Sequence, residues 1–189
     1  MSWTPLVAPD RADATTSPLF ARASARSSKG RVAHFWQSLA PVPGALEGAL
    51  AHAAAVLDDP SPLTAAQAEL IAVVVSATNG CGYCVAHHGP RLASQIGEEL
   101  ARGVARDYRE ADLAARDRVL LDAAVALTCE PSERKREDIE RLSEYGFDDA
   151  SIIRATAIAA YYNFANRIAS AFGLTLEAGV EPWEFGAQR

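Results

Sequence analysis

Apolar residues recur at helical spacing along almost the whole chain. No stretch sustains the alternate-residue pattern of a half-buried strand between hairpin turns. Ala, Leu, Glu and Arg, all good helix formers, dominate these stretches. Pro and Gly set the breaks. A first helix is predicted near Val32–Leu39, stopped by Pro41 and Pro43. A second covers Gly44–Leu57 and ends in Asp58-Asp59-Pro60-Ser61-Pro62. Thr64 opens a third: its hydroxyl caps the helix, and Gln67 completes a capping-box pattern. That helix runs through Glu69 and the apolar run Leu70–Val75 as far as Thr78, where Asn79-Gly80 is a stop signal. A fourth begins at Cys81 and ends at Ile96-Gly97. Further helices follow over Glu98–Arg106, Asp112–Leu127 and Ser132–Tyr145. A long last helix spans Asp148–Phe172, capped by Asp148 or Asp149 and ended by Gly173.

This pattern predicts an all-α helical bundle of residues 31–175. Residues 1–30 are rich in Ser, Ala and Pro and read as a flexible or interface arm. Residues 176–189 form a tail whose Trp183 and Phe185 suit packing against the body or a neighbouring subunit.

Composition narrows the function classes. With 189 residues, 49% hydrophobic and 22% charged, the chain has the balance of a soluble globular protein. A net charge of −6 argues against nucleic acid as a partner. The basic trio Arg134-Lys135-Arg136 is interleaved with Glu133, Glu137 and Asp138 and reads as a solvated helix face. No apolar leader segment opens the sequence, and Leu70–Val75 is far too short to cross a bilayer, so no membrane is expected. Three cysteines are too few for a stapled secreted scaffold. A reducing, cytoplasmic setting is expected, where a C-x-x-C is catalytic or metal-binding rather than structural.

Cys81-Gly-Tyr-Cys84 is that motif. At about 100° per residue, Cys81, Cys84 and His88 share a helix face roughly 60° wide. His87 falls about 100° away from His88 by the same count and is set aside. Cys81 and Cys84 sit in the first turn of a helix, whose free N–H groups and dipole favour a thiolate, the reactive form of cysteine. Oxidation of one sulfur places a second thiol within reach to close a disulfide. Glu69 sits early in an apolar helix, where a carboxylate must face solvent or find a partner. The short Asn79-Gly80 link predicts an antiparallel helical hairpin that brings Glu69 towards His88. Such a pair is expected to raise the histidine pKa and fix its tautomer. A structural zinc site remains an alternative, with three ligands in C-x2-C-x3-H and no obvious fourth. Inert buried thiols are another.

Glu69, Cys81, Cys84 and His88 have the E-x11-C-x2-C-x3-H spacing of alkylhydroperoxidase D (AhpD)-like proteins of the carboxymuconolactone decarboxylase superfamily, and the segment Ala68–His88 resembles their core motif. The stretch Tyr162-Asn163-Phe164-Ala165-Asn166-Arg167-Ile168-Ala169 resembles a helix of the peroxidase-related branch. The resemblance implies an AhpD-like helical fold, homo-oligomers (trimers or hexamers) and thiol-dependent peroxidase activity without metal, haem or other cofactor. It implies that Cys84 attacks a hydroperoxide, that Cys81 resolves it to a disulfide, and that Glu69 and His88 relay protons. An external dithiol, lipoyl- or thioredoxin-like, resets the site. The pattern's second histidine, immediately before the second cysteine, is replaced here by Tyr83. That departure favours an alternative: a redox-responsive binding or assembly module without efficient peroxide turnover.

Other residues carry plainer expectations. His34, His52 and His87 read as structural or exposed, Cys129 as a buried small hydrophobe, and Tyr161 and Tyr162 as core. Asn163, Asn166 and Arg167 read as caps for the motif helix or a subunit contact. Trp3 and Trp183 read as interface packing rather than substrate contacts.

Overall fold

The computed structural model describes the chain except Met1, Ser28 and Arg189, and the described residues form α-helices and no strand. The helices are α1 (Thr16–Ala25), α2 (His34–Leu39), α3 (Pro43–Ala53), α4 (Ala65–Thr78), α5 (Gly82–Ile96), α6 (Glu98–Asp107), α7 (Ala115–Cys129), α8 (Arg136–Glu144) and α9 (Asp149–Ala171). A π turn, Ala54–Asp58, extends α3. The all-α expectation holds, and the helices from α2 onwards lie where the apolar periodicity put them, within a few residues at their ends.

The bundle is organised around α4. Every residue from Leu70 to Thr78 is buried, so this helix is apolar all round, as a central helix must be. It packs against α5, α6, α7 and α9. Its start is fixed by the expected capping box: Thr64 Oγ1 accepts from the Gln67 N–H at 3.1 Å, and Gln67 Oε1 accepts from the Thr64 N–H at 3.0 Å.

The arm and the tail both lie on this body. The arm contains a helix that apolar periodicity does not reveal. Asp13 Oδ1 accepts from the Thr16 N–H at 2.7 Å and so caps α1, whose Leu19, Phe20 and Ala23 are buried. In sequence that short apolar stripe is hidden among Ser, Ala and Pro. In the tail, Trp183 packs on the face of Gly89, where any Cβ would come within 2.6 Å of the indole. Gln188 is buried and donates to the carbonyls of Val104 and Ala105 at 2.8 and 2.9 Å. No described helix is long and apolar enough to cross a membrane.

The link between α4 and α5 sets the position of the motif helix. Gly80 has φ +70°, and the Gly80 N–H donates to the Ala77 carbonyl and the Cys81 N–H to the Ser76 carbonyl. These two bonds make a Schellman motif closing α4. Cys81 is therefore both the last residue of that motif and the N-cap of α5.

A Cβ on Gly80 would meet nothing within 4 Å, so Gly80→Ala tests the left-handed backbone alone. Urea denaturation is expected to show a loss of about 1–2 kcal/mol, with Gly80→Asn costing less. An unchanged midpoint for both variants would show that the turn does not hold the hairpin.

Candidate active site

The site grows out of that turn. Asn79, the C-cap of α4, donates from Nδ2 to Oδ1 of Asn163 at 3.1 Å and of Asn166 at 3.0 Å, both on α9. Asn166 in turn donates to Ser76 Oγ at 3.0 Å, and Asn163 to Thr128 Oγ1 at 3.0 Å. This chain of amides pins the turn to α9. The expected capping role of Asn163 and Asn166 is thus exerted on the turn before the motif helix, not on that helix itself. Arg167 is exposed and donates to the Asn163 carbonyl.

Both thiols are buried and free, with their sulfurs 2.7 Å apart. The Cys84 N–H points at Cys81 Sγ at 3.4 Å, the place an N-cap oxygen normally takes. The expectation that both thiols are acidified is corrected. The Cys81 thiol is pulled below its usual range, chiefly by a hydrogen bond from Cys84, with Asn166 and Ser170 assisting against burial. Cys84 is pushed well above the usual range, first by sharing its proton with Cys81 and then by burial. Two charges at this separation in an apolar setting repel strongly, so the pair holds at most one charge at a time, and Cys81 is the more acidic of the two.

Glu69 and His88 meet as the hairpin predicts, with His88 Nδ1 2.8 Å from Glu69 Oε2. The carboxylate accepts, so Nδ1 carries the hydrogen of the neutral ring and Nε2 is the basic nitrogen. The Tyr162 hydroxyl lies 3.3 Å from each ring nitrogen, and the two rings meet edge to face. The expected rise in the histidine pKa is reversed. Burial outweighs the pull of Glu69, and Arg91 and His87 add to it, so His88 stays neutral below the usual histidine range.

Cys84 and His88 line a cavity of about 470 Å³, and Tyr83, His87, Glu177, Tyr161, Tyr162 and Trp183 line it too. His87, set aside on helical phase, faces the same cavity, because the cavity wraps around α5 rather than following one stripe. Tyr161, Tyr162 and Trp183 are buried as expected, yet they are also cavity walls. Glu177 carries no expectation from sequence at all. Its carboxylate accepts from His87 Nε2 at 2.8 Å, the Tyr83 hydroxyl at 2.7 Å and the His34 N–H at 2.6 Å. Burial pushes its pKa up, but these three bonds prevail and bring it to about 2. Glu177 stands in the tail with no local pattern around it, so no sequence signal marks it. Tyr83 is held by Glu177, and burial and that charge raise its pKa far out of the range of a proton carrier. His34 bonds the Thr175 carbonyl through Nδ1, and His52 stacks edge to face on Tyr161. Cys129 is exposed at the end of α7, not buried, because α7 ends at the surface there. Among the described residues, no cluster of three or more His, Cys, Asp or Glu side chains could hold a metal ion.

An all-helical body that buries a C-x-x-C at a helix start, with a Glu–His pair beside it, defines a class of thiol-bearing helical proteins. The Carboxymuconolactone decarboxylase family matches residues 43–99, which contain Glu69, both motif cysteines and His88. The crystal structure of an uncharacterized peroxidase-related protein from Silicibacter sp. TM1040 is 30% identical, with a TM-score of 0.81 over 89% of this chain and 90% of that one. An uncharacterized peroxidase-related protein from Ralstonia eutropha JMP134, described as an alkylhydroperoxidase AhpD core, is 29% identical with a TM-score of 0.83, covering 96% and 97% of the two chains. The debrominase Bmp8, solved with 2,3,4-tribromopyrrole, shares the fold at 19% identity and TM-score 0.77, covering 94% and 95%. No functionally curated protein matches the chain. The chain belongs to the AhpD/carboxymuconolactone decarboxylase superfamily.

The reversed sign at His88 has a direct readout. In an NMR titration its midpoint is expected below 6.5, and lower still in Glu69→Gln, which removes the one group that favours the imidazolium. Because His88 takes a proton more readily unfolded than folded, its contribution to stability is present above 6.5 and is lost as pH falls from there through its lower folded midpoint. A midpoint above 6.5 would show that Glu69 outweighs burial.

Proposed function

We propose that this chain is a thiol peroxidase of the antioxidant kind, cycling Cys81 and Cys84 between dithiol and disulfide. One observation carries the reading: Cys84 lines a cavity beside a neutral, carboxylate-held imidazole, with a second, more acidic sulfur 2.7 Å away.

The steps follow from the charges. A hydroperoxide enters the cavity. His88 takes the Cys84 proton on Nε2, and Glu69 holds the resulting imidazolium through Nδ1. The Cys84 thiolate attacks the distal peroxide oxygen, the O–O bond breaks, and sulfenic acid forms on Cys84. The departing alkoxide takes the proton from His88 and leaves as the alcohol. The Cys81 thiol then gives up its proton as it attacks the Cys84 sulfur, and the departing hydroxide takes that proton and leaves as water. The products are alcohol, water and the Cys81–Cys84 disulfide. An external dithiol, lipoyl- or thioredoxin-like, then gives two electrons and two protons to restore both thiols, and no cofactor or metal takes part.

This division of labour suits the asymmetry of the pair. The resolving sulfur is the more acidic of the two, and the attacking sulfur is the one that opens on the cavity. Tyr83 does not relay protons. It and His87 hold Glu177, which anchors the tail against the cavity.

Turnover of cumene hydroperoxide with excess dihydrolipoamide tests the reading. Cys84→Ser is expected to abolish it. Cys81→Ser is expected to stop at one turnover, with a sulfenic acid on Cys84 detectable by mass. Glu69→Gln is expected to lower kcat by about 10²-fold. Unchanged turnover in Cys84→Ser would sink the proposal.

A further inference from the structure

The cavity over Cys84 has aromatic walls and a basic mouth, and the thiol cycle makes no use of the mouth. Phe35, Trp36, Tyr161 and Tyr162 form the walls. Around the opening stand Arg26, Lys29, Arg31, Arg91 and Arg102. These are five of the 18 Lys and Arg residues in a chain whose net charge is −6, so the clustering runs against the overall balance. They also converge from separate places in the fold: the end of α1 and the segment after it, α5 and α6.

Two of the five are already neutralised. Arg26 pairs with Asp58, and Arg102 pairs with Glu98 at 2.7 Å while lying over the Trp183 ring. Lys29, Arg31 and Arg91 make no ion pair among the described residues. Arg31 and Arg91 donate only to the backbone carbonyls of Ala178 and Arg26, which leaves their charge uncompensated. The two acids on the cavity do not supply the missing charge. Glu177 is engaged by His87, Tyr83 and the His34 N–H, and Glu181 is exposed with no bond to any of the three cations. Arg91 lies one helical turn after His88, and its charge is felt at the imidazole. The mouth and the reacting groups are therefore close enough for one small molecule to touch both.

Resting on the peroxidase reading of the Cys84 site, we propose that the substrate is a hydroperoxide that also carries a carboxylate. Its apolar body lies among the aromatic walls, its hydroperoxide reaches Cys84, and Lys29, Arg31 and Arg91 hold its carboxylate at the mouth. Guanidinium and carboxylate match in charge and in planar geometry, so such contacts give orientation as well as affinity. Hydrogen peroxide would use neither the walls nor the three cations, and a neutral alkyl hydroperoxide would use the walls alone.

Binding and turnover separate this proposal from the reading beneath it. The binding probes are 4-(2-hydroxypropan-2-yl)benzoate and its methyl ester, alcohols that the thiols cannot reduce, measured by calorimetry on the full chain. The acid is expected to bind about tenfold more tightly than the ester. That preference should shrink as salt is raised and collapse in the Lys29→Gln/Arg31→Gln/Arg91→Gln variant. The ester measured on the same variant controls for its folding. The corresponding hydroperoxides, acid and ester, are then compared in kcat/KM with the dithiol present, where the same order is expected. Equal affinity of the wild-type protein for acid and ester overturns the proposal, and so does an acid preference untouched in the triple variant. Acid-selective binding with no turnover of either hydroperoxide overturns the peroxidase reading alone and leaves the anion-recognising mouth standing.

Discussion

The double role of Cys81 is the constraint on which the site depends. One residue closes the Schellman motif of α4 and caps α5, so neither helix can shift without moving the sulfur. The turn permits no slack: Gly80 supplies the left-handed backbone, and the Asn79 amide is tied to two residues of α9. The geometry of the site grows outward from this point. α5 leaves the turn antiparallel to α4, the contact between Glu69 and His88 closes the far side of the hairpin, and Cys84 sits between them. The turn keeps both sulfurs buried and 2.7 Å apart, although Gly80 itself is exposed.

Burial decides the charges as firmly as the turn decides the geometry. Four ionisable groups at the site, two thiols, a histidine and a carboxylate, share one physical problem, loss of water, and solve it differently. The thiols share a proton, which leaves Cys81 the more acidic and Cys84 the less. His88 avoids charge altogether, although a carboxylate lies at 2.8 Å. Glu177 keeps its charge because three donors converge on it. The outcome is a site with an acidified sulfur at the start of α5, a neutral imidazole further along the same helix and a fixed anion in the tail, each held by hydrogen bonds rather than by exposure to solvent.

Much of this is legible in the sequence, and the part that is not has a common cause. The helices, the capping box at Thr64, the stop at Asn79-Gly80 and the pairing of Glu69 with His88 all follow from local periodicity and a short turn. What escapes depends on how distant segments meet. Glu177 reaches the cavity only because the tail folds back across α5. His87 is dismissed by helical phase, which assumes a site as narrow as one helix face. The sign at Cys84 turns first on which sulfur holds the shared proton and then on burial, and the sign at His88 on burial, and spacing alone measures neither. α1 is missed because its three buried apolar residues are too few to stand out in a Ser- and Ala-rich arm, although Asp13 and Thr16 mark its start.

The Asn79-Gly80 dipeptide also bears on how long the molecule keeps its site intact. Asparagine followed by glycine is the pair most prone to cyclise and lose ammonia, because glycine does not shield its own amide nitrogen. In the fold both participants are occupied: the Gly80 N–H is bonded to Ala77, and the Asn79 side chain is clasped by Asn163 and Asn166. Chemical ageing at this pair is thereby confined to moments when the turn opens. Its products, aspartate and isoaspartate, would bring a negative charge against two amide oxygens just behind the Cys81 sulfur. The hydrogen bonds that shape the thiol pair therefore also set its shelf life.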